Sequence, residues 1–194
     1  VFVPVVEDNN LTLSSGKNIV IAVFELYQNL LQKYGDEMVI SINISPHQLV
    51  EKRFVEELRN LIIEYNIDPK HLELEITENM LIGNMEDAVE IMKNLKALGV
   101  QLSIDDFGTG YSSLQYLVNL PIDIIKIDKS FIDEIVHNEK IKGIVASIIQ
   151  MAQIANFSIV AEGVEDEDQL KVLEALGCYI IQGYLFSKPK PLTM

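Results

Sequence analysis

The chain has 194 residues, of which 48% are hydrophobic, so it is long enough and apolar enough to bury a large core as one domain. Acidic residues outnumber basic ones by 29 to 15, and the net charge of −14 argues against binding to a nucleic-acid polymer. Cys178 is the single cysteine, which excludes an internal disulfide, and no apolar run reaches the roughly 20 residues of a membrane span. We therefore expect a cytoplasmic protein that makes no membrane contact through this domain.

The spacing of apolar residues predicts six helices that alternate with six strands. The chain begins without Met, and we interpret its opening Phe-Val-Pro-Val-Val-Glu run as part of a longer protein. In chain order we predict a helix over 15–34, a strand over 38–45, a helix over 53–65, a strand over 72–77, a helix over 87–98, a strand over 101–106, a short helix over 113–118, a strand over 122–127, a helix over 141–155, a strand over 158–162, a helix over 167–176 and a strand over 179–182.

Regular alternation of strands and helices indicates parallel strands joined by helical crossovers. Buried parallel strands are usually apolar on both faces, but these strands keep one apolar face and become polar toward their carboxyl ends. A barrel accounts for this pattern, because its helices lie outside and the strand ends line a polar mouth. An open doubly wound sheet is the alternative, but it favours apolar residues on both faces. The sequence therefore predicts an α/β, TIM-barrel-like fold.

Two adjacent carboxylates, Asp105 and Asp106, end the central predicted strand, and Gly108 and Gly110 follow them. Carboxylates in this position, next to a flexible loop, suit a hard divalent cation such as Mg²⁺. The alternative interpretation is an ordinary strand-to-loop turn, where Asp and Gly are common.

Polar residues from all six predicted strands should meet at the mouth of the barrel. They are Asn43, Glu75, Asp105, Asp106, Lys126, Glu162, Glu165 and Gln182. So many carboxylates repel one another unless cations neutralise them, and two metal ions could hold a water molecule and polarise a phosphate. Lys126 could position or deprotonate that water or balance a developing negative charge; alternatively, it forms a structural ion pair.

Six short motifs resemble those of one known family, in the same order and at compatible spacing. They are Ser41-Ile42-Asn43-Ile44-Ser45, Leu74-Glu75-Ile76-Thr77-Glu78, Asp105-Asp106-Phe107-Gly108-Thr109-Gly110, Lys126-Ile127-Asp128, Ala161-Glu162-Gly163-Val164-Glu165 and Gln182-Gly183-Tyr184. On these residues the chain resembles the EAL domain family, the bacterial phosphodiesterases of cyclic di-GMP. The resemblance runs from Phe2-Val3-Pro4 to Ser187-Lys188-Pro189, nearly the whole chain.

The resemblance implies a modified TIM barrel that hydrolyses cyclic di-GMP to linear pGpG with Mg²⁺ or Mn²⁺ at a two-metal site. It implies Asn43, Glu75 and Asp105 as ligands of one metal, and Asp105, Asp106 and Glu162 as ligands of the other. The catalytic residues that it implies are Lys126, Glu162 and Glu165, and the substrate-binding residues are Gln182 and Asp128. Lys126, Glu165 and Gln182 would surround the attacking water, and Glu78 resembles the acid with which the family anchors the loop after Asp106.

The chain also departs from the family's pattern. The family is named for a Glu-Ala-Leu segment on an early strand, upstream of the Phe-Val-Pro stretch. The Glu of that segment, a metal ligand, is not in this chain, nor are a nearby Arg and the strand that precedes the segment. Val6 stands where the family usually has Ala. Six strands do not close an eight-stranded barrel, so we expect one EAL-type domain over residues 1–194, incomplete at its amino terminus. Because an open sheet edge invites pairing with another chain, we also expect a homodimer.

Two functions stay open at this point. The first is the metal-dependent phosphodiesterase, attached to other signalling domains, which the motifs favour. The second is a catalytically inactive EAL-like module that binds cyclic di-GMP or a protein partner, which the absent Glu favours. A TIM barrel of another family, acting on sugars or nucleotides, is made remote by the order of the motifs.

Overall fold

The structure of the protein, a computed structural model, describes residues 12–36, 38–51, 53–78, 85–110, 117 and 119–188. The helices are α1 (Thr12–Tyr34), α2 (Pro46–Val50), α3 (Phe54–Glu64), α4 (Met85–Lys96), α5 (Lys129–Glu134), α6 (Glu139–Ile154) and α7 (Glu167–Leu176), with a 3-10 turn at Pro69–His71. The strands are β1 (Ile40–Asn43), β2 (Leu72–Thr77), β3 (Gln101–Phe107), β4 (Ile124–Ile127), β5 (Ser158–Ala161) and β6 (Ile180–Ile181). Within this part of the chain, no helix is both long and apolar enough to cross a membrane.

The six strands form one sheet in the order of the chain, β1-β2-β3-β4-β5-β6. The pairs β1/β2, β4/β5 and β5/β6 are parallel, and Asn43 stands opposite Glu75 in the first of them. Each parallel neighbour is reached through a helical connection, as the alternation of elements predicts. Because all carboxyl ends of parallel strands lie at one edge, this order brings the polar strand ends of neighbours together.

The residues fall into two compact units. The first contains the described parts of Val1–Ile76 and Met80–Ser103. In its core, the Tyr27 hydroxyl of α1 accepts a hydrogen bond from the Asp68 amide (3.3 Å) and donates to Nδ1 of buried His71 (2.7 Å). Nε2 of His71 donates to the Asp36 carbonyl (2.8 Å), so both ring nitrogens have a hydrogen-bond partner. This network ties α1 to the turn that precedes β2.

The second unit contains Thr77, Glu78 and the described part of Ile104–Met194. All four residues of β4 are buried, and α6 packs on this unit through buried Val145, Ile149 and Ala152. The helix α7 begins with a capping box, in which Asp166 and Gln169 exchange side-chain and backbone hydrogen bonds. These elements fix the loops that follow β4 and β5.

Two short helices, α2 and α5, are missing from the sequence prediction. Both start at a side chain that caps the first turn: Ser45 accepts from the Gln48 amide, and Asp128 accepts from the Ser130 amide. Helices of five and six residues carry too few apolar positions for a periodic pattern, so only the caps could have indicated them. The short helix predicted over 113–118 lies, apart from residue 117, outside the described residues.

The main chain after β6 passes very close to Val164, which makes Gly183 a sensitive position. A Cβ added to Gly183 would lie 2.1 Å from the carbonyl oxygen of Val164, so Gly183→Ala should shift the backbone and lower the free energy of unfolding by about 1–3 kcal/mol. Gly143 in α6 is the control, because an added Cβ meets nothing within 4 Å there. Gly143→Ala should stabilise the protein by about 0.5–1 kcal/mol. Urea unfolding measures both; a Gly183→Ala variant as stable as wild type would contradict the close approach.

Candidate active site

Two of the predicted ligands lie side by side in the first unit, at the carboxyl ends of β1 and β2. Asn43 and Glu75 are opposite each other in the strand register, and the amide of Ile44 donates to the carbonyl of Glu75 (2.9 Å). Glu75 is only 6% exposed, whereas Asn43 is exposed. The strand ends at Ser45, which caps the helix α2. The register of β1 and β2 therefore holds the side chains of Asn43 and Glu75 as neighbours just before this cap.

In the second unit, three carboxylates meet where β3 and β5 end. Asp105, Asp106 and Glu162 each offer an oxygen atom within 4.8 Å of the others. Oδ1 of Asp105 is buried and has no hydrogen-bond partner among the described residues. A buried carboxylate oxygen without a donor is costly, and a bound cation would satisfy it. The donor set, oxygen atoms alone, fits a hard divalent cation.

Lys126 of β4 faces these carboxylates from the buried sheet. Its ammonium lies 2.6 Å from Oε1 of Glu162 and 3.9 Å from Oδ1 of Asp105, and the residue is 3% exposed. One positive charge therefore lies among three acidic side chains. The arrangement places an ammonium directly beside a carboxylate cluster that could hold a cation.

Asp106 lies in a partly buried and negatively charged environment. Burial raises the pKa of Asp106, and the neighbouring charges of Asp105 and Asp128 raise it further, together with a hydrogen bond to Asp128. Asp128 also accepts from the amide and hydroxyl of Ser130 at the start of α5. The site thus holds Asp128, a predicted substrate-binding residue, next to the carboxylate cluster.

The loop after Asp106 has a defined conformation. Asp106 has a φ of 52°, a left-handed geometry that non-glycine residues seldom adopt. Buried Glu78 accepts hydrogen bonds from the amides of Gly108 (2.9 Å) and Gly110 (3.1 Å). Phe131 of α5 packs so close to Gly108 that an added Cβ would lie 2.7 Å from its ring. These contacts fix the direction in which Asp106 projects.

A surface cleft of about 420 Å³ lies beside Glu162. Its walls are formed by Lys129, Glu162, Gly163, Glu165, Gln182, Gly183, Tyr184, Ser187 and Lys188. Two of the predicted site residues, Glu165 and Gln182, therefore share this cleft with Glu162 rather than joining the three-carboxylate cluster. Lys129, which sequence reasoning missed, pairs with Oε1 of Glu165 at 2.8 Å. Cys178, the single cysteine, does not line this cleft. Burial raises the pKa of its thiol to about 11, so the thiol stays protonated at neutral pH.

Comparison with protein-family models matches the EAL domain over residues 1–189. The chain belongs to the EAL domain family. The predicted fold class, an α/β TIM-barrel-like fold of the EAL type, is confirmed by this match and by the solved structures of EAL domains that the chain resembles. The EAL phosphodiesterases depend on metal ions, in agreement with the acidic cluster of Asp105, Asp106 and Glu162.

Among relatives, the chain is 37% identical over 190 residues to MucR of Pseudomonas aeruginosa, a bifunctional diguanylate cyclase/cyclic di-GMP phosphodiesterase. It is 42% identical over 158 residues to the cyclic di-GMP phosphodiesterase NbdA of the same organism. The matches cover 98% and 81% of the chain but only 28% and 20% of MucR and NbdA. The chain thus spans less than a third of the length of these curated relatives.

The solved structures point to the same family. The phosphodiesterase of MucR, in complex with c-di-GMP, superimposes with a TM-score of 0.93 at 37% identity, covering 98% of this chain and 77% of that one. The EAL enzyme Bd1971, in a form that binds cAMP and cyclic di-GMP, gives a TM-score of 0.89 at 35% identity, covering 97% and 52%. Both of these proteins bind cyclic di-GMP in their structures.

Removing Asp105 should abolish divalent metal binding, because its unsatisfied buried oxygen is the best-placed ligand in the cluster. Calorimetric titration of the Asp105→Ala variant with Mn²⁺ should show no binding at a concentration that saturates wild type. Asp168→Ala, which removes an exposed carboxylate paired with Lys171, is the control and should bind as wild type does. Unchanged Mn²⁺ affinity in Asp105→Ala would refute the assignment.

A second prediction concerns the pH dependence of stability in EDTA. Because the pKa of Asp106 is raised above its ordinary value of 3.8 in the folded state, this group destabilises the fold at neutral pH. That penalty decreases as the pH falls through the raised pKa toward 3.8. Asp106→Asn should therefore be more stable than wild type at pH 7, by less than about 1 kcal/mol for a solvent-screened group. The difference, measured by urea unfolding, should shrink toward pH 4; a difference that grows at low pH would contradict a raised pKa of Asp106 in the folded state.

Proposed function

We propose that the domain is a metal-dependent phosphodiesterase that hydrolyses cyclic di-GMP to linear pGpG in bacterial second-messenger signalling. The observation that carries the proposal is the buried ammonium of Lys126 beside the cluster of Asp105, Asp106 and Glu162. Membership of the EAL domain family and the phosphodiesterase relatives support the reaction and the substrate.

Asp105, Asp106 and Glu162 are proposed to hold a divalent cation, Mg²⁺ or Mn²⁺. The unsatisfied Oδ1 of Asp105 supports this assignment, since a cation would satisfy it. Burial and the charges of Asp105 and Asp128 raise the pKa of Asp106, and a cation bound beside it would offset both effects. Asn43 and Glu75 are proposed as the further ligands of a two-metal site. Bound there, the metal ions would polarise a phosphodiester and acidify a water molecule.

The proposed roles of the remaining residues follow from their positions. Hydrolysis adds the elements of water across one P–O3′ bond and releases a free 3′-hydroxyl and a 5′-phosphate, so charge builds up on phosphate oxygens. Lys126, held by Glu162, would balance that charge or move a proton at its Nζ. Glu165 and Gln182, on the adjoining cleft, are proposed to orient the attacking water, with Gln182 and Asp128 also contacting the substrate.

The second candidate is a catalytically inactive EAL-like module that binds cyclic di-GMP or a protein partner. It is favoured by one observation, the 2.6 Å ion pair of Lys126 with Glu162, which a purely structural role of the lysine would also explain. On either proposal the domain acts in the cytoplasm and is attached to other signalling domains, as in its multidomain relatives. A homodimer is proposed as well; the exposed Ile180 of edge strand β6 and its neighbour Tyr179 support an association through this edge.

The proposal is tested by a turnover assay of the 194-residue chain and of the complete gene product. Each protein is incubated with cyclic di-GMP and Mn²⁺, and chromatography detects the pGpG that is formed. Lys126→Met, which keeps the packing volume, should lower kcat by ~10²–10⁴-fold if Lys126 handles a proton, while KM changes much less. Lys171→Met, which removes an exposed lysine, is the control.

One outcome would overturn the proposed enzyme function, and another would overturn the role of Lys126. Binding of cyclic di-GMP by the Mn²⁺-loaded complete gene product, without formation of pGpG, leaves the binding module as the function. Full activity of Lys126→Met would remove Lys126 from the mechanism.

A further inference from the structure

Helix α5 contacts the loop that carries Glu165. Lys129, its first residue, places its ammonium 2.8 Å from Oε1 of Glu165 and 2.8 Å from Oδ1 of Asp133, one turn further along the helix. Hydrogen bonds to Asp133 and Glu165 raise the pKa of Lys129 to about 12, so it stays charged at any working pH. The ammonium of Lys129 thus bridges two carboxylates, that of Asp133 in its own helix and that of Glu165 in the neighbouring loop.

The stem of Lys129 is held as closely as its ammonium. Gly163, between Glu162 and Glu165, has a φ of 70°, and a Cβ added there would lie 2.4 Å from Cγ of Lys129 and 2.7 Å from its Cβ. The lysine therefore crosses the bare backbone of Gly163 to reach Glu165. A long side chain that is fixed near both ends loses most of its freedom, which makes its ion pair more directional than that of a free surface lysine.

A second contact from α5 fixes the main chain of the same residue. The amide of Glu165 donates to Oε1 of Gln169 (2.8 Å), and Nε2 of Gln169 donates to the carbonyl of Ile132 in α5 (3.2 Å). Gln169 is 6% exposed, so these hydrogen bonds are shielded from water. Residues of one short helix, α5, therefore hold both the backbone and the carboxylate of Glu165 in place.

We propose that Lys129 is a positioning residue for the phosphodiesterase reaction, which holds the carboxylate of Glu165 toward the cleft that it shares with Glu162. The inference rests on the proposed function, because it gives Glu165 a task in catalysis. Helix α5 begins three residues after Lys126, so the ammonium of Lys126 and the carboxylate of Glu165 are both set by the β4–α5 connection. A small displacement of a positioned group can lower a rate about 100-fold without changing what is bound.

The experiment compares Lys129→Met, Lys129→Arg and the control Lys171→Met in the complete gene product with Mn²⁺. Lys171 is also exposed and paired, to Asp168 at 3.0 Å, but lies away from the cleft lining. Lys129→Met should lower kcat by about 10- to 100-fold with KM changed less than about 2-fold, and Lys129→Arg should recover most of the loss. The midpoint of urea unfolding should stay the same, because an exposed ion pair adds little stability.

Several results would overturn the inference. An unchanged kcat in Lys129→Met would do so, as would an equal loss in Lys171→Met. A large rise in KM at constant kcat would show instead that Lys129 contacts the substrate directly.

A crystal structure of Lys129→Met supplies a readout that does not depend on activity. The carboxylate of Glu165 should turn away from its wild-type direction, while the hydrogen bond from its amide to Gln169 remains. If the carboxylate keeps its direction, Lys129 does not position it. If wild type forms no pGpG, the proposed function fails, and the crystallographic comparison still decides whether Lys129 holds Glu165.

Discussion

The ammonium of Lys126, 2.6 Å from Glu162 and 3.9 Å from Asp105, is the interaction on which the rest of the second unit depends. Moving a charged group out of water costs several kcal/mol, so a lysine in a buried strand is tolerated only where carboxylates face it. Those carboxylates in turn outnumber it, and burial together with the charges of Asp105 and Asp128 raises the pKa of Asp106. A divalent cation supplies charge of the missing sign. Metal binding and the stability of this region are therefore linked, since the same repulsion that destabilises the metal-free fold strengthens the binding of a cation.

The loops around this charge cluster are held more firmly than loops usually are. Asp106 adopts a left-handed backbone conformation, and its cost, of the order of 1–3 kcal/mol, is sustained by the surrounding contacts. Glu78 accepts from two amides of the loop that follows, and Phe131 covers Gly108. A carboxylate whose direction is fixed before a ligand arrives loses little entropy on binding. The glycine at 108 is required because a side chain would displace the ring of Phe131.

Local patterns in the sequence predict the alternating helices and strands. They also place four site residues at strand ends, because the position of a residue along its strand decides which edge of the sheet it reaches. These residues are Asp105, Asp106, Lys126 and Glu162. Glu78 as a loop anchor follows only from the family resemblance. Lys129 and Gln169 could not be found in either way. Their contacts join residues 36 and 37 positions apart, and a lysine or glutamine in the first turn of a helix usually faces solvent. Such partners are decided by how α5 packs on the loop after β5, which no sequence pattern encodes.

The charge of the whole chain is a poor guide to what this site attracts. A net charge of −14 opposes an anionic dinucleotide at long range, but exposed charges more than about 8 Å away are largely screened at physiological ionic strength. Within the cleft, Lys129 and Lys188 stand against Glu162 and Glu165, and Lys126 lies just beneath. Together with Asp105 and Asp106 of the adjoining cluster, four carboxylates face these three lysines, so the local charge is negative, and one divalent cation would reverse its sign. Under the proposed function, an acidic protein would in this way still accept a small phosphodiester at one place, because a bound metal would decide the sign of the field there.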